Sequence, residues 1–125
     1  MDEEYTEAVL DLVELIPSGR VMTYGTVAEA VSDLLIAEGH APRGGPRQVG
    51  TALARAGGDV PWWRVVNASG RPHSPERALP RYAHERTPLT ADGERVALRR
   101  AVWFPDDPPS APMPPTPPGS AERAP

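Results

Sequence analysis

The chain of 125 residues has no cysteine, no lysine, a single phenylalanine and no apolar run approaching the length of a membrane span. Each absence excludes something. Without cysteine there is no thiolate nucleophile, no thiolate metal site, no disulfide and no dithiol redox motif. Without a long apolar run, or a charged-then-apolar segment at the start, neither a membrane anchor nor a secretory leader is expected, and a soluble, cytoplasmic protein is. The three histidines, His40, His73 and His84, lack metal-ligand spacing, so they read as solvent-exposed loop residues, and neither a metal nor another cofactor is expected. The length suffices for one hydrophobic core. We therefore expect one domain over residues 1–104. Nine of the 21 residues from 105 to 125 are proline, which predicts an extended, disordered tail, with or without a proline-recognising partner.

The net charge of -4 conceals a strong segregation. Residues 1–16 hold six acids and no base, and residues 105–125 hold three acids against Arg123. The stretch between them carries twelve of the thirteen arginines against eight acids. A guanidinium forks onto phosphate or stacks on a base, so the basic middle permits nucleic-acid binding; an arginine-rich composition bias would give the same count.

Apolar residues Tyr5, Ala8, Val9, Leu12, Val13 and Ile16 recur at helical spacing, predicting an amphipathic helix over residues 2–16 that Pro17-Ser18-Gly19 ends. A short extended link follows, with Thr23 placed to cap a second helix through Val27, Ala28, Val31 and Leu34. Glycines and prolines break the chain from Glu38 to Gly45, and Pro46 suits the first position of a third helix ending near Ala56. The second and third helices have a helix-turn-helix outline, which simple core packing would also produce. Val60 to Val66 reads as a buried strand or tight crossing segment, and Asn67 to Gly70 as a turn. Residues 71–88 read as a loop with at most one short helix, and residues 92–104 show helix spacing again. The expected fold class is thus mostly α: a winged-helix-like helix-turn-helix domain with a short strand or wing element.

Three motifs carry chemistry. They are the run from Ile16 through Tyr24 to Ala28, then Arg47-Gln48-Val49-Gly50, then Pro61-Trp62-Trp63-Arg64-Val65-Val66-Asn67. In this order, over roughly residues 3–104, they resemble the DNA-binding domain of the O6-alkylguanine-DNA alkyltransferases. Where those enzymes carry Pro-Cys-His-Arg, this chain has Pro61-Trp62-Trp63-Arg64, so the acceptor cysteine is Trp62, as in alkyltransferase-like proteins. An indole nitrogen, its lone pair committed to the ring, cannot displace an alkyl group as a thiolate does. It can offer a flat wall for an extruded base, although paired tryptophans also serve simply as core. If the motif is extended, Trp62 and Arg64 face one way and Trp63 the other, one aromatic lining a pocket and the other packing inward.

The resemblance implies a non-enzymatic protein that binds double-stranded DNA containing O6-alkylguanine through the minor groove, rotates the altered base out, and signals to nucleotide excision repair proteins. A monomer is expected, nucleoid-associated if bacterial. It assigns Tyr24 to the phosphate beside the target nucleotide and Arg47 to the gap that the nucleotide leaves. Gln48 falls in the same motif, and small Gly50 and Ala52 are expected to let the recognition helix approach DNA. Arg64 would brace the pocket, contact phosphate or pair with a carboxylate. Asn67 would hold the turn behind the motif, and either Arg71 or Arg77 would stack on the altered guanine. An active alkyltransferase would need an acceptor other than cysteine. The remaining alternative is a winged-helix DNA-binding regulator without lesion preference.

Overall fold

The computed structural model describes residues 3–41 and 44–105; the expected start of the first helix at Asp2 and the proline-rich tail beyond 105 lie outside the described residues. Helix α1, Glu3–Leu15, buries Tyr5, Val9 and Val13 along one stripe, with Ile16 closing it. Strand β1, Met22–Thr23, leads directly into α2, Tyr24–Ala37. Thr23 caps α2 reciprocally: its Oγ1 accepts from the Thr26 N–H at 3.1 Å, while Thr26 Oγ1 accepts from the Thr23 N–H at 3.0 Å. That cap makes Tyr24 the first helical residue. Helix α3, Pro46–Ala56, begins at Pro46 as its sequence suggests.

Helices α1, α2 and α3 pack on one another around a core that includes Val9, Val13, Val27, Val31, Leu35, Val49 and Leu53. Each such side chain contributes on the order of 2 kcal/mol on burial, which outweighs the modest helix propensity of the valines. On α3 the inward face is Val49, Ala52 and Leu53. Ala52 is therefore fully buried and does not serve close approach to DNA, because a residue three positions after Val49 shares its face. Gly50 and Thr51 lie on the other side.

A second cluster of Val21, Val66, Ala78, Tyr82, Val96 and Ala101 backs a two-stranded parallel sheet, in which β1 pairs with β2, Val65–Val66. The stretch expected as a buried strand or a tight crossing segment has something of each: Trp62–Arg64 form one 3-10 turn and only the two valines are strand. The stretch 71–88, expected as a loop with at most one short helix, holds a three-turn helix, α4, Pro75–Glu85, whose Ala78 and Tyr82 are buried. Residues 92–104 depart from their helix spacing. Thr90 and Asp92 close a turn through Thr90 Oγ1–Asp92 Oδ1 at 2.6 Å and Glu94 N–Asp92 Oδ1 at 2.9 Å, and Leu89 bridges Val96 antiparallel in a small wing. Helical structure is confined to one turn, α5, Leu98–Ala101, after which Val102 bridges Val21. Among the described residues no helix is long and apolar enough to cross a membrane.

Glu85, at the end of α4, ties these pieces together. Its carboxylate accepts from Trp63 Nε1 at 3.0 Å, from Arg64 through Nε at 3.1 Å and through Nη2, and from the Gly19 N–H at 3.1 Å. Arg64 Nη1 also donates to the Ile16 carbonyl at 2.9 Å. Tyr82 OH donates to the Trp63 carbonyl at 2.6 Å. The Glu85 side chain is 7% exposed. Burial pushes its carboxyl up, but the hydrogen bonds from Arg64, Gly19 and Trp63, with the charge of Arg64, more than offset this and hold it below its ordinary value.

Two outcomes are expected. Gly70 has a φ of +87°, and a Cβ there would lie 2.4 Å from the Val96 carbonyl oxygen, so Gly70→Ala should cost about 2 kcal/mol or more in urea unfolding; an unchanged midpoint would contradict this close approach. Glu85→Gln should cost roughly 2 kcal/mol near neutral pH, in the range of charge-assisted hydrogen bonds. Because the folded-state carboxyl is held low, that difference is complete above the unfolded value of about 4.5 and is lost as pH falls through the folded one. Unfolding curves of both proteins from neutral pH downward check the sign: the gap must narrow on acidification, not widen.

Candidate nucleic-acid interface

An open cavity of about 550 Å³ lies between the start of α2, the outer face of α3 and the Trp62 turn, and α4 supplies its far side. Tyr24, Arg47, Gly50, Trp62 and Arg77 all line it, so five of the ten expected site residues converge from segments more than fifty positions apart. Tyr24 is half-buried, and burial pushes its phenol above the usual range, so it stays neutral and able to donate. Arg47 is exposed at the second position of α3, where the helix N-terminus disfavours a cation. Gly50 has no packing reason to be glycine: a Cβ there would meet the Tyr24 ring at an ordinary 3.9 Å. It would instead project into the space beside the cavity.

Trp62 stands edge-on to Trp63, with ring centres 5.8 Å apart and planes at 86°. Arg77 projects from α4 over the Trp62 ring, its guanidinium carbon 5.3 Å from the ring centre. Trp63 faces away from the cavity lining. It is held by Glu85 and flanked by Arg81 at 4.5 Å and Arg64 at 5.6 Å from its ring centre. The expectation that Trp62 and Arg64 share a side is corrected: the 3-10 turn abolishes the two-residue alternation of a strand, and Arg64 goes with Trp63 to Glu85. The division between the two indoles holds, Trp62 at the cavity and Trp63 against α4.

Arg64 takes the carboxylate pairing left open among its three readings. Asn67 lies away from the cavity and holds its turn, its Oδ1 accepting from the Ser69 N–H at 2.9 Å and the Arg71 N–H at 3.0 Å. Arg71 and Gln48 are exposed outside the cavity lining, so of the two candidate arginines only Arg77 reaches the cavity. His73 and Ser74 also line it, ahead of α4; His73 is the exposed loop residue expected, and the fold places that loop at the cavity. His84 is exposed on α4, and His40 lies 3.2 Å from Glu4. Ser74 followed by Pro75, a cap-like residue before proline, is the signal that would have placed this helix and with it His73, Arg77 and Glu85.

Comparison with known proteins matches the same architecture. Residues 4–93 match the family model described as 6-O-methylguanine DNA methyltransferase, DNA binding domain. A DNA base-flipping protein of Vibrio parahaemolyticus is 30% identical over 111 residues, covering 82% of this chain and 99% of that protein. Its counterpart in Escherichia coli is 34% identical over 110 residues, covering 82% and 76%. The crystal structure of Schizosaccharomyces pombe Atl1 in complex with damaged DNA containing O6-carboxymethylguanine superposes with a TM-score of 0.66 at 30% identity, covering 84% of this chain and 99% of that one. The chain therefore belongs to the family of the 6-O-methylguanine DNA methyltransferase DNA-binding domain, as an alkyltransferase-like member with Trp62 in place of the acceptor cysteine.

Proposed function

We propose that this protein binds duplex DNA carrying O6-alkylguanine, rotates the altered nucleotide out of the helix into the cavity, and holds it against Trp62 without chemistry. The observation that carries the reading is the position of Trp62: an indole, unable to accept an alkyl group, forms one wall of the cavity on which Tyr24 and Arg47 converge. Helix α3 approaches the minor groove with Gly50 outward, Arg47 fills the gap in the base stack, and Tyr24 presses on the neighbouring phosphate. Gln48 contacts the same groove and Arg71 the backbone, while Arg77 stacks on the extruded guanine. Trp63, Arg64 and Asn67 act as positioning residues, fixing the turn that carries Trp62. The relatives named for base flipping and the Atl1 complex with damaged DNA support this reading. The binding unit is one copy of residues 1–104, with 105–125 a tail outside it; the protein works where the DNA is and flags the lesion for nucleotide excision repair.

Binding to matched duplexes with and without O6-methylguanine tests this directly: the modified duplex should bind more tightly, and equal affinity would favour a DNA-binding regulator without lesion preference. Arg47→Ala should weaken binding to the modified duplex by about ten- to a hundredfold with little change in folding, and Tyr24→Phe by less. Fluorescence anisotropy alongside thermal unfolding separates the two effects; loss of stability in step with affinity would speak against a direct role. Trp62→Ala should remove about 1–3 kcal/mol of stacking and bring the two duplexes toward equal affinity. Gly50→Ala, which the fold accommodates within α3, should hold or slightly raise the melting temperature yet weaken DNA binding several-fold; full affinity in that variant would place α3 away from the groove.

A further inference from the structure

A second groove, of about 390 Å³, runs between α1 and α2 and shares no residue with the Trp62 cavity. Ala8, Leu12 and Leu15 on α1 follow one another at i, i+4 and i+7, and face Ala30 and Leu34 of α2 across a floor of Val31 and Leu35. Leu15 is 66% exposed and Leu34 48%, so this apolar surface is open to solvent. Every ionisable residue lining the groove is acidic: Glu7, Asp11 and Glu38, with Glu4 at one end beside His40. Helix α1 as a whole carries five acids and no base.

This charge decides what can lie there. DNA and an anionic lipid surface are repelled. The chain's own tail starts at Pro105 on the edge of the groove, but continues with Asp106 and Asp107 and holds only Arg123 as a base, so like charges oppose its docking. A second copy presenting its own α1 would meet the same repulsion. Two ridges of apolar side chains, each spaced by about one helical turn, form a seat for a third helix.

We propose that the α1–α2 groove docks a basic amphipathic helix of a partner protein, with leucine-like side chains on the floor and arginine or lysine at the Glu7, Asp11 and Glu38 edges. Since the groove and the Trp62 cavity have no residue in common, a partner held this way leaves the cavity accessible, and the protein holds DNA and partner together. The surface stands whether or not the ligand of the cavity is O6-alkylguanine.

The test uses the full chain, isotope-labelled, titrated with three synthetic peptides: a helical peptide with leucines on one face flanked by arginines, the same residues scrambled, and the helical peptide with glutamate for arginine. The first should shift the amide resonances of α1 and α2 around Asp11 and Leu34 and leave those of Tyr24 and Arg47 unchanged. The other two should bind at least about tenfold more weakly, and Glu7→Arg with Asp11→Arg should weaken the first peptide by about tenfold while sparing binding to duplex DNA. Equal binding of the scrambled peptide, or indifference to the charge reversal in the protein, would overturn the proposal. So would shifts of the same amides caused by dilution of the protein or by a free peptide of residues 106–125, which would assign the groove to a second copy or to the tail.

Discussion

Glu85 accepts hydrogen bonds from Gly19, ahead of the first strand, and from Trp63 and Arg64 of the 3-10 turn, and Arg64 in addition donates to the Ile16 carbonyl just after α1. A 3-10 turn of three residues has little intrinsic persistence, and nothing inside Trp62–Arg64 would hold its tryptophans apart. The carboxylate does so from outside. By taking the Trp63 N–H and the Arg64 guanidinium to the α4 side, it leaves Trp62 to the cavity, and the Tyr82 hydroxyl on the Trp63 carbonyl fixes the backbone between them. The indole N–H of Trp63 supplies one donor to this carboxylate. A histidine, which the repair enzymes have at this place in the motif, could also supply a ring N–H, which gives a physical reason why tryptophan is tolerated there.

The same frame separates two electrostatic surfaces. Every charged residue of helix α1 is an acid, whereas the cavity edge carries Arg47 on α3 and Arg77 on α4. A net charge of -4 therefore says little about what the cavity face can bind, since the excess of acid lies in the first helix and the tail and the arginines lie between them. Trp62 itself has a cation over its ring and a second aromatic ring edge-on to it. Such a setting favours a flat, polarisable group on the remaining indole surface.

Helices α1, α2 and α3 were legible because their apolar spacing, the Thr23 cap and Pro46 all point to the same boundaries. The motifs likewise brought Tyr24, Arg47, Gly50, Trp62 and one of two arginines into a single expected site. What the sequence concealed depended on long-range contacts. Helix α4 was legible only as one short helix without bounds, because Pro80 lies within it although Ser74-Pro75 marked its start, and so Glu85 was not seen as the partner of Trp63 and Arg64. Residues 92–104 carry helical spacing, yet Gly93 at a φ of +74° and the Thr90–Asp92 turn spend the backbone on a wing that packs against Gly70. Ala52 was expected, for its small size, to let the recognition helix approach DNA, whereas its register with Val49 places it in the core.

The central claim is that an altered guanine leaves the DNA stack and rests on Trp62. A crystal structure of the full chain with a duplex containing one O6-methylguanine tests it most directly. The modified base should lie outside the helix in the cavity, its ring against Trp62 and the side chain of Arg47 in the space it vacated. A modified base still stacked in the duplex, with the cavity empty, would contradict it.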